Sequence, residues 1–342
     1  MKSIFSRIIN KLFGKFIQKK IFLDGVRKYE QTGITTGESY QALIKLYCLT
    51  NGKFDANYHQ QTKGKNPPVS VPPVIKGITD TFTKSDFDKI NDRLNKDGYI
   101  HFEKKLPEDI CNRIYQYALQ TKATIPPAYD KPLIYDPANP VAEIYRFDMV
   151  ELANNKDFQV LMMDPALINI ARNYLECEPI FDFPAMWWST SINKEASSEA
   201  AQLYHFDMDR VKWLKLFIYL NDVDENNGPH AYIRGSHKPG SKPASLLKKG
   251  YARIKDVELA EFYKKEDFVT VFGKQGEMFA GDTKCWHKGT PLKKGNRLVV
   301  ELEYSSSLFG ANQPKMVITN YSTEFKIFCE ANPLYASHIL FK

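Results

Sequence analysis

Apolar residues recur at helical spacing up to about residue 180 and in short alternating runs after it. The opening stretch, MKSIFSRIINKLFGKFIQKKIF, sets Arg7, Lys11, Lys15 and Lys19 four residues apart. That spacing predicts a basic stripe along a helix, with Phe5, Ile9, Leu12, Phe13 and Phe16 clustered on the other side. Residues 36–50 read as a second helix, and the later KNPPVSVPPVIKG, with its paired prolines, as a stiff connector. A helix containing DFDKINDRLNKDG is expected next, capped by Thr83 or Ser85. A short strand, GYIHF, and a helix entered through Pro107, LPEDICNRIYQYALQ, follow it.

Beyond residue 180 the runs IFDFPAMWWSTSI, AQLYHFDMD, WLKLFIYLNDV, HAYIRGS, FVTVFG, GEMFAGD, CWHKGT and RLVVELEYSS alternate with clusters of Gly, Asn, Asp and Pro. Many short strands at close spacing predict a β-sandwich or barrel. The expected plan is a basic amphipathic helix over 1–25, a helical extension with its connector over 26–80, and a β domain over 81–342. Within that domain the Lys/Arg-rich residues 238–268 read as an insertion forming a lid or rim. There is no internal repeat, and neither GxGxxG nor GxxxxGK[ST] occurs, so a nucleotide-binding fold is not expected.

Composition narrows the classes. The 342 residues are 43% hydrophobic and 25% charged, as in a soluble globular protein, and no run approaches a membrane span. Five scattered cysteines (Cys48, Cys111, Cys177, Cys285 and Cys329) form no CxxC pair, which points to a reduced, cytoplasmic setting. The net charge of +7 is local: residues 1–20 carry six Lys or Arg and no acid, leaving +1 for the rest. Nucleic acid is therefore not the expected partner. Two roles fit residues 1–22: peripheral contact with the inner face of a membrane, or packing on the domain or a partner subunit.

The candidate chemistry centres on YHFDMDR. On a strand, His205 and Asp207 point to one face roughly 7 Å apart along the backbone, close enough to share one metal ion. Asp209 lies on that face but roughly 13 Å from residue 205, so Asp207 is the better ligand and Asp209 a partner for Arg210, Lys212 or the site entrance. His287 follows a Gly281-Asp282 turn, and Arg297 opens the apolar strand RLVVELEY ten residues later. Two histidines and one carboxylate suit non-haem Fe(II), and an arginine beside them suits a dicarboxylate co-substrate.

HFD, LKLFIYLNDVDENNGPHAYIRGSH and WHKGTPLKKGNRLVVEL, in that order, resemble the phytanoyl-CoA dioxygenase family of Fe(II)- and 2-oxoglutarate-dependent oxygenases. KDGYIHFEKKLPEDICNRI resembles the family's N-terminal opening, and the likeness spans roughly residues 85–305. Arg234 stands where the family usually has Pro. The resemblance implies a mostly β, double-stranded β-helix core with flanking helices. It implies that His205, Asp207 and His287 hold iron and that Arg297 pairs with 2-oxoglutarate. It also implies that O₂ is consumed while 2-oxoglutarate is decarboxylated to succinate and a substrate is hydroxylated or otherwise oxidised. An aspartate at 207 fills the place that the family's halogenating members leave open for chloride.

Lys215 and Gln202 are further candidates for co-substrate contact; Lys215 shares one strand face with Trp213, Phe217 and Tyr219, which is either inward or solvated. Trp188 and Arg146 are candidates for the substrate pocket, with one of Trp187 and Trp188 facing the pocket and the other the core. His230 and His237 read as structural, and His59, His101 and His338 carry no sign of chemistry. The expected substrate is a small, carrier-linked or lipid-linked molecule, with the basic insertion favouring an acidic one or being simply a solvated surface. A metallohydrolase using the same triad and a non-catalytic binding member of the fold are the competing readings.

Overall fold

The structure is a computed structural model that describes residues 2–193 and 195–342. The side chains of residues 2–12, 128 and 129 lie outside the description, and with them Arg7, Lys11, Phe5, Ile9 and Leu12 of the expected amphipathic pattern. Three helices come first: α1 (Lys2–Thr32), α2 (Gly37–Thr50) and α3 (Lys53–Thr62). Helix α1 runs past the expected boundary at 25 because Phe22, Val26 and Tyr29 continue an apolar face that packs on the domain. Gly25 lets α1 and α2 approach closely, since a Cβ there would overlap the Ser39 side chain.

A hairpin, β1 (Val74–Lys76) and β2 (Thr81–Thr83), ends the connector. Helix α4 (Lys84–Asp97) starts at Thr83, which forms a capping box with Asp86. Strand β3 (Tyr99–Lys105), helix α5 (Glu108–Gln120) and strands β4 (Lys122–Ile125), β5 (Ala128–Ile134) and β6 (Ile144–Arg146) follow. Helices α6 (Met149–Ala153), α7 (Lys156–Met162) and α8 (Pro165–Leu175) each start on an Asp or Asn side chain that accepts from the first-turn amides.

The remaining strands are β7 (Ile180–Thr190), β8 (Trp213–Tyr219), β9 (His230–Ile233), β10 (Phe268–Val271), β11 (Glu277–Gly281), β12 (His287–Gly289) and β13 (Asn296–Ser305). Short helices α9 (Ala244–Leu247) and α10 (Asp256–Ala260) interrupt the insertion, and β14 (Met316–Ile318), α11 (Thr323–Ala331) and β15 (Ile339–Phe341) close the chain. An eight-stranded sheet runs β3-β11-β8-β13-β7-β6-β4-β5, and a three-stranded sheet runs β10-β9-β12. From β8 onward the chain crosses repeatedly between the two, the connectivity of a double-stranded β-helix, with no continuous ladder among the described residues closing them into a barrel.

The central strands of the large sheet, β7, β8 and β13, are buried on both faces. On β8 the residues Leu214, Leu216 and Ile218, with Leu220 just beyond it, join the core beneath α4, α5, α7 and α8, whereas Lys215 and Phe217 face the space between the sheets. On β13, Leu298, Val300 and Leu302 join the same core, and Arg297 and Glu301 face inward. Strand alternation therefore sorts apolar from chemical side chains within a single run. The HFD stretch is not part of a regular strand; it makes single bridges, Tyr204 to Ile254 and His205 to His287. Ile254 belongs to the insertion, which buries Leu246, Leu247, Ile254 and Leu259 against this wall.

One buried ion pair joins the sheet to the segment after HFD. Arg210, 1% exposed, donates from Nε and Nη2 to the two Asp182 oxygens at 2.6 and 2.7 Å. Ser305 donates to Asp182 as well, at 2.8 Å. Arg210 thus pairs with Asp182 and not with the Asp209 carboxylate, meeting Asp209 at its backbone carbonyl at 3.2 Å. Asp182→Ala would leave the guanidinium buried and unpaired, and is expected to lower the unfolding free energy by about 3–5 kcal/mol in urea titrations. Asp182→Leu combined with Arg210→Met is expected to recover much of that loss, and a single variant as stable as the parent would contradict this picture.

Candidate metal centre

His205 and Asp207 reach the inter-sheet space from the bridged segment, and His287 from the first position of β12. His205 N donates to His287 O at 3.0 Å and His287 N to His205 O at 2.8 Å, so the two backbones are locked side by side. Ligand-type atoms of His205, Asp207 and His287 all lie within 4.8 Å of one another. His205 Nε2 stands 3.6 Å from one Asp207 oxygen and His287 Nε2 3.6 Å from the other.

The hydrogen bonds fix which nitrogen faces inward. His205 Nδ1 lies 2.9 Å from Leu203 O, and His287 Nδ1 lies 3.0 Å from Cys285 O. A carbonyl only accepts, so each Nδ1 carries the proton and each Nε2 presents a lone pair. Burial favours the neutral form of both rings, pulling their pKa values below the usual histidine range. Burial works against the Asp207 charge, but the cationic surroundings, with the Lys215 ammonium foremost, hold that carboxyl well below the usual range. Three acceptors therefore converge with no proton between them. That arrangement fits a cation, and the N,N,O donor set fits non-haem iron with positions left open.

Arg297 lies at the start of β13, 3% exposed. It donates from Nη2 to Ser189 Oγ at 3.0 Å and from Nη1 to Gly228 O, and its Nε has no partner. No acid of the described residues comes within ion-pair distance of it, and burial pulls its pKa down. A buried guanidinium without a counter-ion fits an anionic ligand such as a carboxylate. Both groups open on the same cavity, of about 270 Å³.

The cavity contains more charge than the sequence suggested. Lys215 faces inward, its Nζ 3.0 Å from Asp207 and Asp209 and 3.4 Å from Glu301 and Glu303. Its ammonium is thus engaged by four carboxylates, of which Asp207 is one. Burial disfavours the charge on Lys215, yet these acids raise its pKa well above the lysine value. Burial pushes Glu301 and Glu303 up. Asp209 faces the cavity, and Lys212 pairs instead with Asp282 at 3.2 Å.

The other expected positions divide between the cavity and the structure around it. Trp187 lines the cavity with Phe183 and Ala185, while Trp188 is fully buried against Tyr115 and Tyr135, because neighbours on β7 point to opposite faces. Gln202 is absent from the cavity wall; its amide oxygen accepts from Ser197 N at 3.0 Å in its own turn. Arg146 does line the cavity, its guanidinium over the Trp187 ring at 5.8 Å. His230 lines it too, its Nδ1 3.2 Å from the Tyr219 hydroxyl, and Arg253 reaches it from the insertion.

Residues 94–295, more than half of the chain, match the family model described as phytanoyl-CoA dioxygenase (PhyH). No curated protein matches the chain. Among solved structures, EctD from S. alaskensis in its apoform is 19% identical, with 73% of this chain and 89% of that one covered and a TM-score of 0.47. HygX from Streptomyces hygroscopicus, with nickel and 2-oxoglutarate bound, is 14% identical over 68% and 91%, with a TM-score of 0.46. AviO1 from Streptomyces viridochromogenes Tue57 is 16% identical over 64% and 95%, with a TM-score of 0.42. Scores this low add no weight to the assignment, which stands on the family match. The chain belongs to the phytanoyl-CoA dioxygenase family, and with it to the non-haem iron- and 2-oxoglutarate-dependent oxygenases.

Proposed function

We propose that His205, Asp207 and His287 hold the iron, that Arg297 receives the distal carboxylate of 2-oxoglutarate, and that the enzyme hydroxylates or otherwise oxidises a small organic substrate. The observation that carries this reading is the convergence of three proton-free acceptors on one wall of the cavity that the unpartnered Arg297 also lines. Iron and 2-oxoglutarate, when bound, supply the oxidising chemistry, with succinate and CO₂ as co-products. The chain's own residues bind, orient and shield.

The backbone carbonyls of Leu203 and Cys285 hold the two imidazoles in the tautomer that ligates through Nε2. Lys215 holds the Asp207 carboxylate from the side, keeping it ionised and oriented. Phe183, Ala185, Trp187 and Phe217 supply an apolar wall that orients a substrate and excludes water. Arg146 and Arg253 stand over that wall and favour a substrate bearing an anionic group. An aspartate at the carboxylate position favours hydroxylation over halogenation.

Contact of α1 with an anionic membrane surface is the second part of the reading. Phe13 and Phe16 are 65% and 68% exposed. Phe22, nine residues after Phe13 and so about two and a half turns on, points the other way into the domain. An exposed aromatic face beside Lys15 and Lys19 matches an anionic interface. No helix of the described residues is long and apolar enough to cross a membrane.

Three outcomes test these assignments. His205→Ala and His287→Ala are each expected to weaken Fe(II) binding more than about 100-fold, beyond the loss of an outer-shell partner, and to abolish succinate formation. Arg297→Gln is expected to raise the KM for 2-oxoglutarate about 10- to 100-fold, the worth of a charged hydrogen bond, with Fe(II) affinity retained. Phe13→Asp combined with Phe16→Asp is expected to abolish co-sedimentation with phosphatidylserine-containing vesicles and leave turnover unchanged. Equal sedimentation would remove the membrane reading alone.

A further inference from the structure

The residues next to the proposed ligands point away from the cavity. Phe206 and Trp286 enter a core shared with α2, where the Phe206 ring lies 5.1 Å from Tyr47 and 5.1 Å from Trp286. The helical extension α1–α3 lies outside the residues matched by the family model, yet it forms the back wall of the metal centre. Its attachment is polar as well as apolar. Asn51, at the end of α2, donates to Lys242 O at 2.7 Å and accepts from Gly240 N at 2.7 Å. Lys242, itself buried, donates to Ser236 O and to Lys284 O, and Ser236 Oγ accepts from Trp286 N at 2.8 Å.

Lys284 is the charged link. It sits three residues before His287, its Nζ donating to Val211 O at 2.5 Å. Asp55 of α3 is the only acid of the described residues within ion-pair distance, at 3.7 Å. The Asp55 side chain is 1% exposed, and neither of its oxygens has a hydrogen-bond partner. Each of the two groups would be a buried, uncompensated charge without the other. The front of the same turn is fixed separately, by Asp282 accepting from Lys284 N at 2.9 Å and from the Tyr174 hydroxyl at 2.5 Å.

We infer that Asp55 is a positioning residue for His287, acting through Lys284, so that the helical extension sets the affinity of the metal centre. The inference rests on the ligand set proposed above. Removing the Asp55 charge leaves Lys284 buried without a counter-ion and releases the turn that aims His287. A partner hydrogen-bonded directly to a ligand is worth about 10- to 100-fold in metal affinity, and Asp55, acting one contact further out, is expected near the lower end of that range.

The test is an anaerobic Fe(II) titration in the presence of 2-oxoglutarate, followed by the visible charge-transfer absorption, on the full chain and on Asp55→Asn and Asp55→Glu. The expected result is at least tenfold weaker iron binding by folded Asp55→Asn, an altered absorption band, and recovery towards the parent in Asp55→Glu. Parent-like affinity and absorption in folded Asp55→Asn would overturn the inference and leave the ligand set standing. No iron binding by the unaltered protein would overturn both. Should Asp55→Asn fail to fold, hydrogen exchange on the unaltered protein decides. Because coupling is reciprocal, iron and 2-oxoglutarate are expected to slow exchange in residues 53–62 together with residues 284–289. Protection confined to 284–289 would overturn the inference.

Discussion

The paired backbone hydrogen bonds between His205 and His287 are the constraint on which the site depends. They put two residues 82 positions apart in chain order face to face, with ring centroids 4.2 Å apart. Once they form, alternation decides the rest. His205, Asp207 and His287 turn into the cavity, and Phe206 and Trp286 turn into the core behind it. A one-residue slip on either side would exchange ligands for aromatics. The apolar core behind the ligands thus sets the register of the polar site in front of it.

Charge is the second constraint. Lys215 gathers Asp207, Asp209, Glu301 and Glu303, which would otherwise repel one another in a buried space. Three cationic arginines line the same cavity, and Arg297 is the one sunk deepest, with no acid beside it. The site therefore separates acids gathered on one lysine from an arginine with no acid among the described residues within ion-pair distance.

Much of this was legible in the sequence because it depends on local spacing. HFD sets two candidate ligands two residues apart, and Arg297 stands out as a charge opening an apolar strand. The strand runs from residue 180 onward match the observed β7 to β13, apart from HFD itself, which forms single bridges. Glu301 and Glu303 went unread, although they share the parity of Arg297 in RLVVELEY and so had to face the same side. Trp188 was preferred over Trp187 because parity along β7 was not carried through to the cavity. Asp209 was paired with Arg210, Lys212 or the site entrance because its distance from His205 was measured along a straight strand, whereas Lys215 draws both aspartates together. Asp55 had no local signal at all: an acid on a polar helix reads as solvated until the tertiary structure buries it.

The most direct measurement is a crystal structure of the protein grown anaerobically with Fe(II) and 2-oxoglutarate. The account predicts iron within bonding distance of His205 Nε2, Asp207 and His287 Nε2, and one carboxylate of 2-oxoglutarate on the Arg297 guanidinium. Iron held by other residues, or 2-oxoglutarate lying away from Arg297, would contradict it.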